Sequence, residues 1–299
     1  MSPRATVAGV VVDYAAGPVL AECVASLLAD GVDQVVVVEN GDSSGARRAL
    51  DAAGMAVPVV ASGRNLGYGA GANRGVAATG DTAYVLICNP DLHLHRGAVG
   101  NLVRALDEQP SWAIVGPRVL TPEGVPYPSV RQFPSMVDAA GHAVVGLVHP
   151  DNRFTRRYRR AGLAGAGLAG DGLAGDGLAP ADWVSGACFL ARRSALEELG
   201  GFDEAYFMFA EDMDLCWRAH RAGWGVGYQP AAVVTHAQGM STRRHPYRML
   251  VAHHRSALRF ARRSTEGWRR LALPLAALLL GLRLAVSLAA VAVKGGGRR

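Results

Sequence analysis

Val7–Val12 is an unbroken stretch without a polar side chain, the pattern of a strand buried on both faces. Val35–Val38, Val57–Ala61 and Tyr84–Cys88 repeat it, and Trp112–Gly116 follows. Between these runs the period changes. Behind Pro18, residues Leu20, Cys23, Val24, Leu27 and Leu28 fall on one side of a helix. Gly69–Thr79 predicts a helix of small residues that packs closely on a sheet, and Arg96–Glu108 a further helix. Later, Trp183–Ala191 predicts one strand and Ser194–Leu199 a short helix stopped by Gly200-Gly201. Glu211–Ala222 predicts a helix carrying an Asp214/Arg218 pair, and Ala231–Thr235 a last strand ending at His236. Strands alternating with helices predict an α/β fold, with a Rossmann-like, mostly parallel central sheet flanked by helices. Ligands of such sheets sit beyond the carboxyl ends of the strands, which directs attention to the loops after Val12, Val38, Ala61 and Cys88.

Two segments break this rhythm. Residues 151–182 combine the basic stretch Asn152–Arg160 with a repeated GLAG(A/D) unit over Gly162–Ala179, a composition that predicts a flexible loop. Leu271–Val293 is almost wholly apolar and, at 23 residues, long enough to cross a bilayer. Arg283 near its centre opposes insertion by roughly 2.5–3.5 kcal/mol, while nine leucines favour it. Arg283, Ser287 and Lys294 share a helical stripe that suits a helix lying in the interface equally well, so spanning and surface binding both stay open. The expected organisation is one α/β domain at 1–242, its halves 1–120 and 183–242 lying either side of the loop, followed by a basic, apolar helical tail at 243–299.

Charge sharpens the reading of the tail. The net +6 conceals 13 Lys and Arg against one acid from Arg243 onward, a balance of +12, and −6 over the first 242 residues. Because this basic run leads into an apolar segment with few interleaved aromatics, a membrane surface is the expected partner and nucleic acid is not. Cys23, Cys88, Cys188 and Cys216 form no C-x-x-C pair, and no secretory signal is apparent at the start, so reduced thiols in the cytoplasm are expected.

The candidate chemistry lies in the loops. Asn89-Pro90-Asp91 follows the fourth strand, where a carboxylate can hold a divalent cation against a diphosphate; the tripeptide is equally good turn chemistry. Glu39, Asn40 and Ser43 follow the second strand, placed either to accept from a base and a ribose or to form a plain turn. Arg64, Asn65, Gly67 and Asn73 belong to a glycine-containing stretch that would let backbone approach a ligand. Glu211-Asp212 opens a helix behind Tyr206-Phe207-Met208-Phe209; acids in a first turn complement the helix dipole, and aromatic surroundings can also raise a carboxylate toward the range of a general base.

The arrangement of these pieces resembles family 2 glycosyltransferases of the GT-A fold, in particular the bacterial rhamnosyltransferase-like branch. The matching stretches, in order, are VVVDY, VVVVENGDSS, RNLGYGAGANRG, LICNPDLHL, the long run from Trp183 to Trp224, and VVTHAQGMST. The resemblance implies that Asp13, Glu39, Asn40, Ser43, Arg64, Asn65, Gly67, Asn73, Asn89, Asp91, Gly186 and Ala187 form the nucleotide-sugar site. It implies Asp212, with Glu211 beside it, as the base that deprotonates the acceptor, and Asp91 with His236 as ligands of Mg2+ or Mn2+. Asn89 stands where the family's D-x-D motif has its first acid, and Glu39 where Asp is more usual.

The implied activity is inverting transfer from a nucleotide diphosphate sugar, dTDP-L-rhamnose first, to a lipid-linked or cell-wall glycan. No Q-x-x-R-W sequence, the mark of processive synthases, is present, so single addition is expected. Alternatives are another donor, such as UDP-galactofuranose or UDP-GlcNAc, or a non-catalytic nucleotide-sugar-binding membrane protein. The expected location is the cytoplasmic side of the cell membrane, with a homodimer left open.

Overall fold

The computed structural model describes residues 5–41, 44–134, 149, 152, 177–237 and 246–296. Ser43 and the Gly-rich repeat, apart from its last residues, lie outside the described residues. Twelve strands are described: β1 Val7–Asp13, β2 Gln34–Glu39, β3 Val59–Ala61, β4 Tyr84–Cys88, β5 Leu92–Leu94, β6 Trp112–Leu120, β7 Pro126–Tyr127, β8 Val130–Arg131, β9 Ala179–Pro180, β10 Trp183–Val184, β11 Cys188–Arg192 and β12 Gly225–His236. The helices are α1 Val19–Ala29, α2 Gly45–Ala52, α3 Tyr68–Ala78, α4 Ala98–Glu108, α5 Arg193–Leu199, α6 Glu211–Arg221, α7 Pro246–Ser264 and α8 Leu273–Gly296, with a 3-10 turn at Gly267–Ala272.

The main sheet runs β3-β2-β1-β4-β11-β6-β12-β5. β1 pairs in parallel with β2 and β4, β2 with β3, and β6 with β12. β11 is inserted antiparallel between β4 and β6, and β5 runs antiparallel to β12. Short β7 and β9 join the same sheet antiparallel to β6 and β12, so six of its ten strands run one way, as the alternating pattern predicts, and β5, β7, β9 and β11 oppose them, which periodicity alone does not reveal. One core cluster, including Leu20, Leu27, Leu102 and Leu106, packs α1 and α4 against the sheet; another, including Tyr68, Phe189, Phe202 and Leu215, packs α3 and α6. The small residues of α3 serve close approach: a Cβ on Gly75 would lie 2.3 Å from Val10 Cγ1 and 2.9 Å from Val38 Cγ2.

Two expectations are corrected. Trp183–Ala191 is not one strand. β10 pairs with β8 in a separate ladder, Ser185-Gly186-Ala187 turns, and β11 then enters the main sheet. Both pieces are largely buried, so their apolar pattern runs through the break without marking it. The predicted flexible loop also ends early, because β9 pairs antiparallel with β12 at Gly227 and Tyr228.

In the tail, α7 packs against α6 and α8 against α7. Phe260 meets Trp217 ring to edge at 6.5 Å, and Arg221 pairs with Glu266 at 3.2 Å. On α8, Leu275, Leu278, Leu282 and Val286 are exposed at spacings of three and four, continuing a stripe from Trp268 and Leu271. Arg283 is half-buried and its charge lowers the His253 pKa after burial and His254, so this residue lies toward α7. A stretch long and apolar enough to cross a membrane, Gly267–Ala292, thus carries its central charge toward the protein and an apolar stripe away from it.

Candidate active site

The carboxyl ends of β1, β2 and β4 bring Asp13, Glu39-Asn40 and Asn89-Pro90-Asp91 to one edge of the sheet. Asp13 pairs in register with Glu39, and its Oδ1 accepts from the Ala16 amide at 3.0 Å. Glu39 Oε1 accepts from the Ala46 amide at 2.9 Å, so the acid sits at the start of α2 and complements its dipole.

Asn40 is buried and its amide is committed to the protein. Its Oδ1 accepts from Leu66 N at 2.9 Å and its Nδ2 donates to Gly67 O at 2.8 Å. Asn65 Oδ1 in turn accepts from Gly67 N at 2.9 Å, leaving Arg64 exposed in the loop. In this geometry Asn40 and Asn65 shape the loop that a nucleotide would meet. Asn73 departs further from the implied site. Its Oδ1 accepts from Phe202 N and its Nδ2 donates to Phe202 O, both at 2.9 Å, and Nδ2 also reaches Glu204 Oε1 at 3.1 Å. Its direction along α3 takes it to the 201–204 turn, where all its polar atoms are used, and away from the strand ends.

The carboxylate pair is set by strained backbone. Phe209 and Ala210 have φ of 70° and 63°, consecutive left-handed residues without glycine, at a cost of roughly 1–2 kcal/mol each. Neighbours on several elements hold them. Tyr68 N donates to Phe207 O at 3.1 Å, across Gly67, where φ is 93° and a Cβ would strike Phe207 O. Ser256 Oγ donates to Met208 O at 2.9 Å, and the rings of His253 and Phe209 lie 5.4 Å apart.

The chain that leaves this turn begins α6 with Glu211 and Asp212. Asp212 Oδ2 accepts from Gly186 N at 2.7 Å and Oδ1 from Met213 N at 2.8 Å. The break between β10 and β11 exposes that Gly186 amide, and Tyr68 donates its hydroxyl to Gly186 O at 2.5 Å. A Cβ on Gly186 would lie 3.3 Å from Asp212 Oδ2, so a side chain there would crowd the carboxylate.

Burial raises the Asp212 pKa above the ordinary carboxylate value, partly offset by the Gly186 and Met213 amides and the Arg131 charge. Burial, and then repulsion from Asp212, pushes Glu211 up to about 8. Glu211 Oε2 is buried without a hydrogen-bond partner among the described residues. Both acids are therefore shifted upward, and as close neighbours they titrate as a pair. By contrast Asp214, two residues on, is neutralised by Arg218 at 2.8 Å and Arg263 at 3.3 Å.

At the other candidate centre, Asp91 Oδ1 lies 3.1 Å from His236 Nε2, and Asn89 Nδ2 lies 3.2 Å from the same nitrogen. Asn89 N donates to Ala187 O at 2.9 Å, which ties β4 to the Gly186-Ala187 turn. Nε2 thus faces a carboxylate and an amide at once, while His236 Nδ1 is buried without a partner among the described residues. A carboxylate oxygen and an imidazole nitrogen about 3 Å apart fit adjacent positions on one small divalent cation with bonds of about 2.1 Å. No cluster of three His, Cys, Asp or Glu exists among the described residues, so such a cation would need further ligands from substrate or water.

Two residues of this site went unassigned in the sequence. Tyr68 lies inside the quoted RNLGYGAGANRG stretch, where its polar tip gives no signal. Arg131 acts on Asp212 from β8, a two-residue strand too short to be seen by periodicity.

Residues 3–259 match the family described as glycosyltransferase like family 2. An N-acetylglucosaminyl-diphospho-decaprenol L-rhamnosyltransferase of Mycobacterium tuberculosis is 36% identical over 273 residues, covering 87% of this chain and 85% of that protein. A low-salt glycan biosynthesis hexosyltransferase of Haloferax volcanii is 28% identical over 70% of this chain and 60% of its own length. Among solved structures, a mannosyltransferase of Pyrobaculum calidifontis in complex with GDP-Man and Mn2+ superposes with a TM-score of 0.57 at 17% identity, covering 99% of this chain and 80% of that one. These likenesses agree with the GT-A architecture of the sheet, and the chain belongs to glycosyltransferase family 2.

Proposed function

We propose that this glycosyltransferase makes single, inverting transfers from a nucleotide diphosphate sugar, with dTDP-L-rhamnose the first choice, to a hydroxyl of a lipid-linked glycan. The donor and acceptor classes come from the Mycobacterium tuberculosis relative. The observation that carries the chemistry is the Asp212 carboxylate, fixed by Gly186 N and raised in pKa by burial. In the reaction the acceptor oxygen bonds to the anomeric carbon as the bond from that carbon to the diphosphate oxygen breaks. The acceptor proton passes to Asp212, and the electron pair leaves on the nucleotide diphosphate, inverting the carbon. Tyr68 and the Asn89–Ala187 hydrogen bond position the turn that orients Asp212.

Asp91 and His236 are the side chains that would hold a divalent cation, and when bound it would neutralise charge developing on the leaving diphosphate. Two family-fold neighbours, the mannosyltransferase and a GalNAc transferase at a TM-score of 0.58, were solved with Mn2+. The exposed stripe on α8, next to basic α7, would place the site at a membrane surface, on the cytoplasmic side, where a lipid-linked acceptor resides.

A panel of nucleotide sugars, with polyprenyl-diphospho-GlcNAc as acceptor, tests this reading by release of nucleotide diphosphate. The expected result is fastest turnover with dTDP-L-rhamnose, and loss of most activity in chelator, restored by Mg2+ or Mn2+. Full rate in chelator removes the cation role, and preference for a UDP sugar removes the rhamnose assignment.

A further inference from the structure

α7 presents another face to the loop that precedes the catalytic carboxylates. Arg255, Leu258, Arg259, Arg262 and Arg263 line, with Ala205, a hollow of about 510 Å3. Two of these arginines are committed. Arg259 and Arg263 both donate to Asp203 Oδ2 at 2.7 Å, and Arg263 also lies 3.3 Å from Asp214 Oδ1. Asp203 and Asp214 thus hold the walls of the hollow in place, and Asp214 is shared with Arg218. Arg255 and Arg262 are exposed, one helical face apart by seven residues, and have no acidic partner among the described residues. The hollow therefore keeps an excess of positive charge on a rigid helix, with Leu258 and Ala205 as its apolar part.

Guanidinium groups present planar forks that match phosphate oxygens in pairs, which a scattered set of solvated cations would not do. A volume of this size accepts a diphosphate with part of what it is attached to. The hollow also sits at a junction. Ala205 belongs to the loop that delivers Asp212 seven residues later, and the same α7 carries α8 with its exposed apolar stripe.

We infer that the Arg255–Arg262 hollow binds the phosphate-bearing head of a lipid, holding it beside the catalytic loop. This rests on the proposed reading of a lipid-linked acceptor, in which a diphosphate joins the acceptor sugar to its apolar chain. A diphosphate held on α7 would fix the acceptor's head while its sugar extends toward Asp212. The phosphate could belong to that acceptor or to an anionic phospholipid, which present the same chemistry to the two arginines.

Flotation of the full-length protein with vesicles separates the sources, comparing phosphatidylcholine alone, with phosphatidylglycerol, and with a polyprenyl diphosphate. Wild type is expected to bind both phosphate-enriched vesicles more tightly than neutral ones, with the increment falling as salt rises. The R255Q/R262Q variant, with Arg259 and Arg263 left to hold the loop, is expected to lose at least tenfold of that increment. Loss with polyprenyl diphosphate assigns the hollow to the acceptor, and loss with phosphatidylglycerol alone assigns it to the bulk membrane. An unchanged increment on both overturns the inference. R104Q, at an exposed site on α4, serves as the control for loss of a charge, and unaltered thermal unfolding of R255Q/R262Q excludes misfolding. Because flotation needs no turnover, failure of the donor panel would leave it readable. In the transfer assay, R255Q/R262Q should raise KM for the lipid diphosphate about tenfold and leave KM for the nucleotide sugar unchanged.

Discussion

Asp212→Asn is expected to lower kcat by about 10²–10⁴-fold, the contribution of a positioned general base, with nucleotide affinity unchanged. The substitution keeps the size of the side chain and removes its capacity to take a proton. It also disturbs one of two hydrogen bonds, since an amide can accept from Gly186 N or Met213 N and not from both. The pH profile separates these effects. Burial raises the Asp212 pKa, so wild-type kcat should fall, as pH drops, at a higher pH than an exposed aspartate would give. The residual activity of Asp212→Asn should lack that acid limb. Full kcat in the variant would remove Asp212 as the base, and a retained limb would assign it to another group.

Glu211→Gln should stabilise the protein at slightly alkaline pH. Glu211 is pushed up to about 8 by burial and the neighbouring Asp212, from an ordinary value of 4.5. Below that ordinary value the carboxyl is protonated in both folded and unfolded chains and contributes nothing. As pH rises toward 8, the unfolded chain loses this proton while the folded chain retains it, so stability falls across the interval. By pH 8 the loss is on the order of a few kcal/mol, which corresponds to several degrees in Tm for a chain of this size. Thermal unfolding of wild type and Glu211→Gln should therefore diverge as pH rises from about 5 to 8, the variant melting higher. Parallel curves would show that Glu211 titrates near its ordinary value. A stabilised variant with reduced kcat would mark Glu211 as a group kept for function at the expense of stability.

The fold was legible where the apolar pattern was strong. β1, β2 and β4 are almost wholly buried, and their boundaries fall within one residue of those predicted. β11 was visible as an apolar run, but its antiparallel insertion depends on β4 and β6, distant pairings that no local period encodes. The site was legible in its acids and less so in its amides. Glu211 adjoins Asp212 and Asp91 lies 3.1 Å from His236, which is proximity and leaves their roles as proposals. Asn40 and Asn73 turn inward because an amide can satisfy backbone donors and acceptors simultaneously, a use that sequence cannot distinguish from ligand contact. Tyr68 and Arg131 act across 118 residues of chain and from a two-residue strand, respectively, beyond the reach of any window.

The left-handed turn at Phe209–Ala210 sets an order of events during synthesis. Its brace, the hydrogen bond from Ser256 to Met208, comes from a residue made 48 positions later. The chain emerges N-terminal end first, so a ribosome-bound chain can complete the sheet while Glu211 and Asp212 still lack their support. Only when α7 has been released do the loop and the basic helix close on each other. Assembly of the candidate site and emergence of the apolar segment that follows α7 therefore coincide in time.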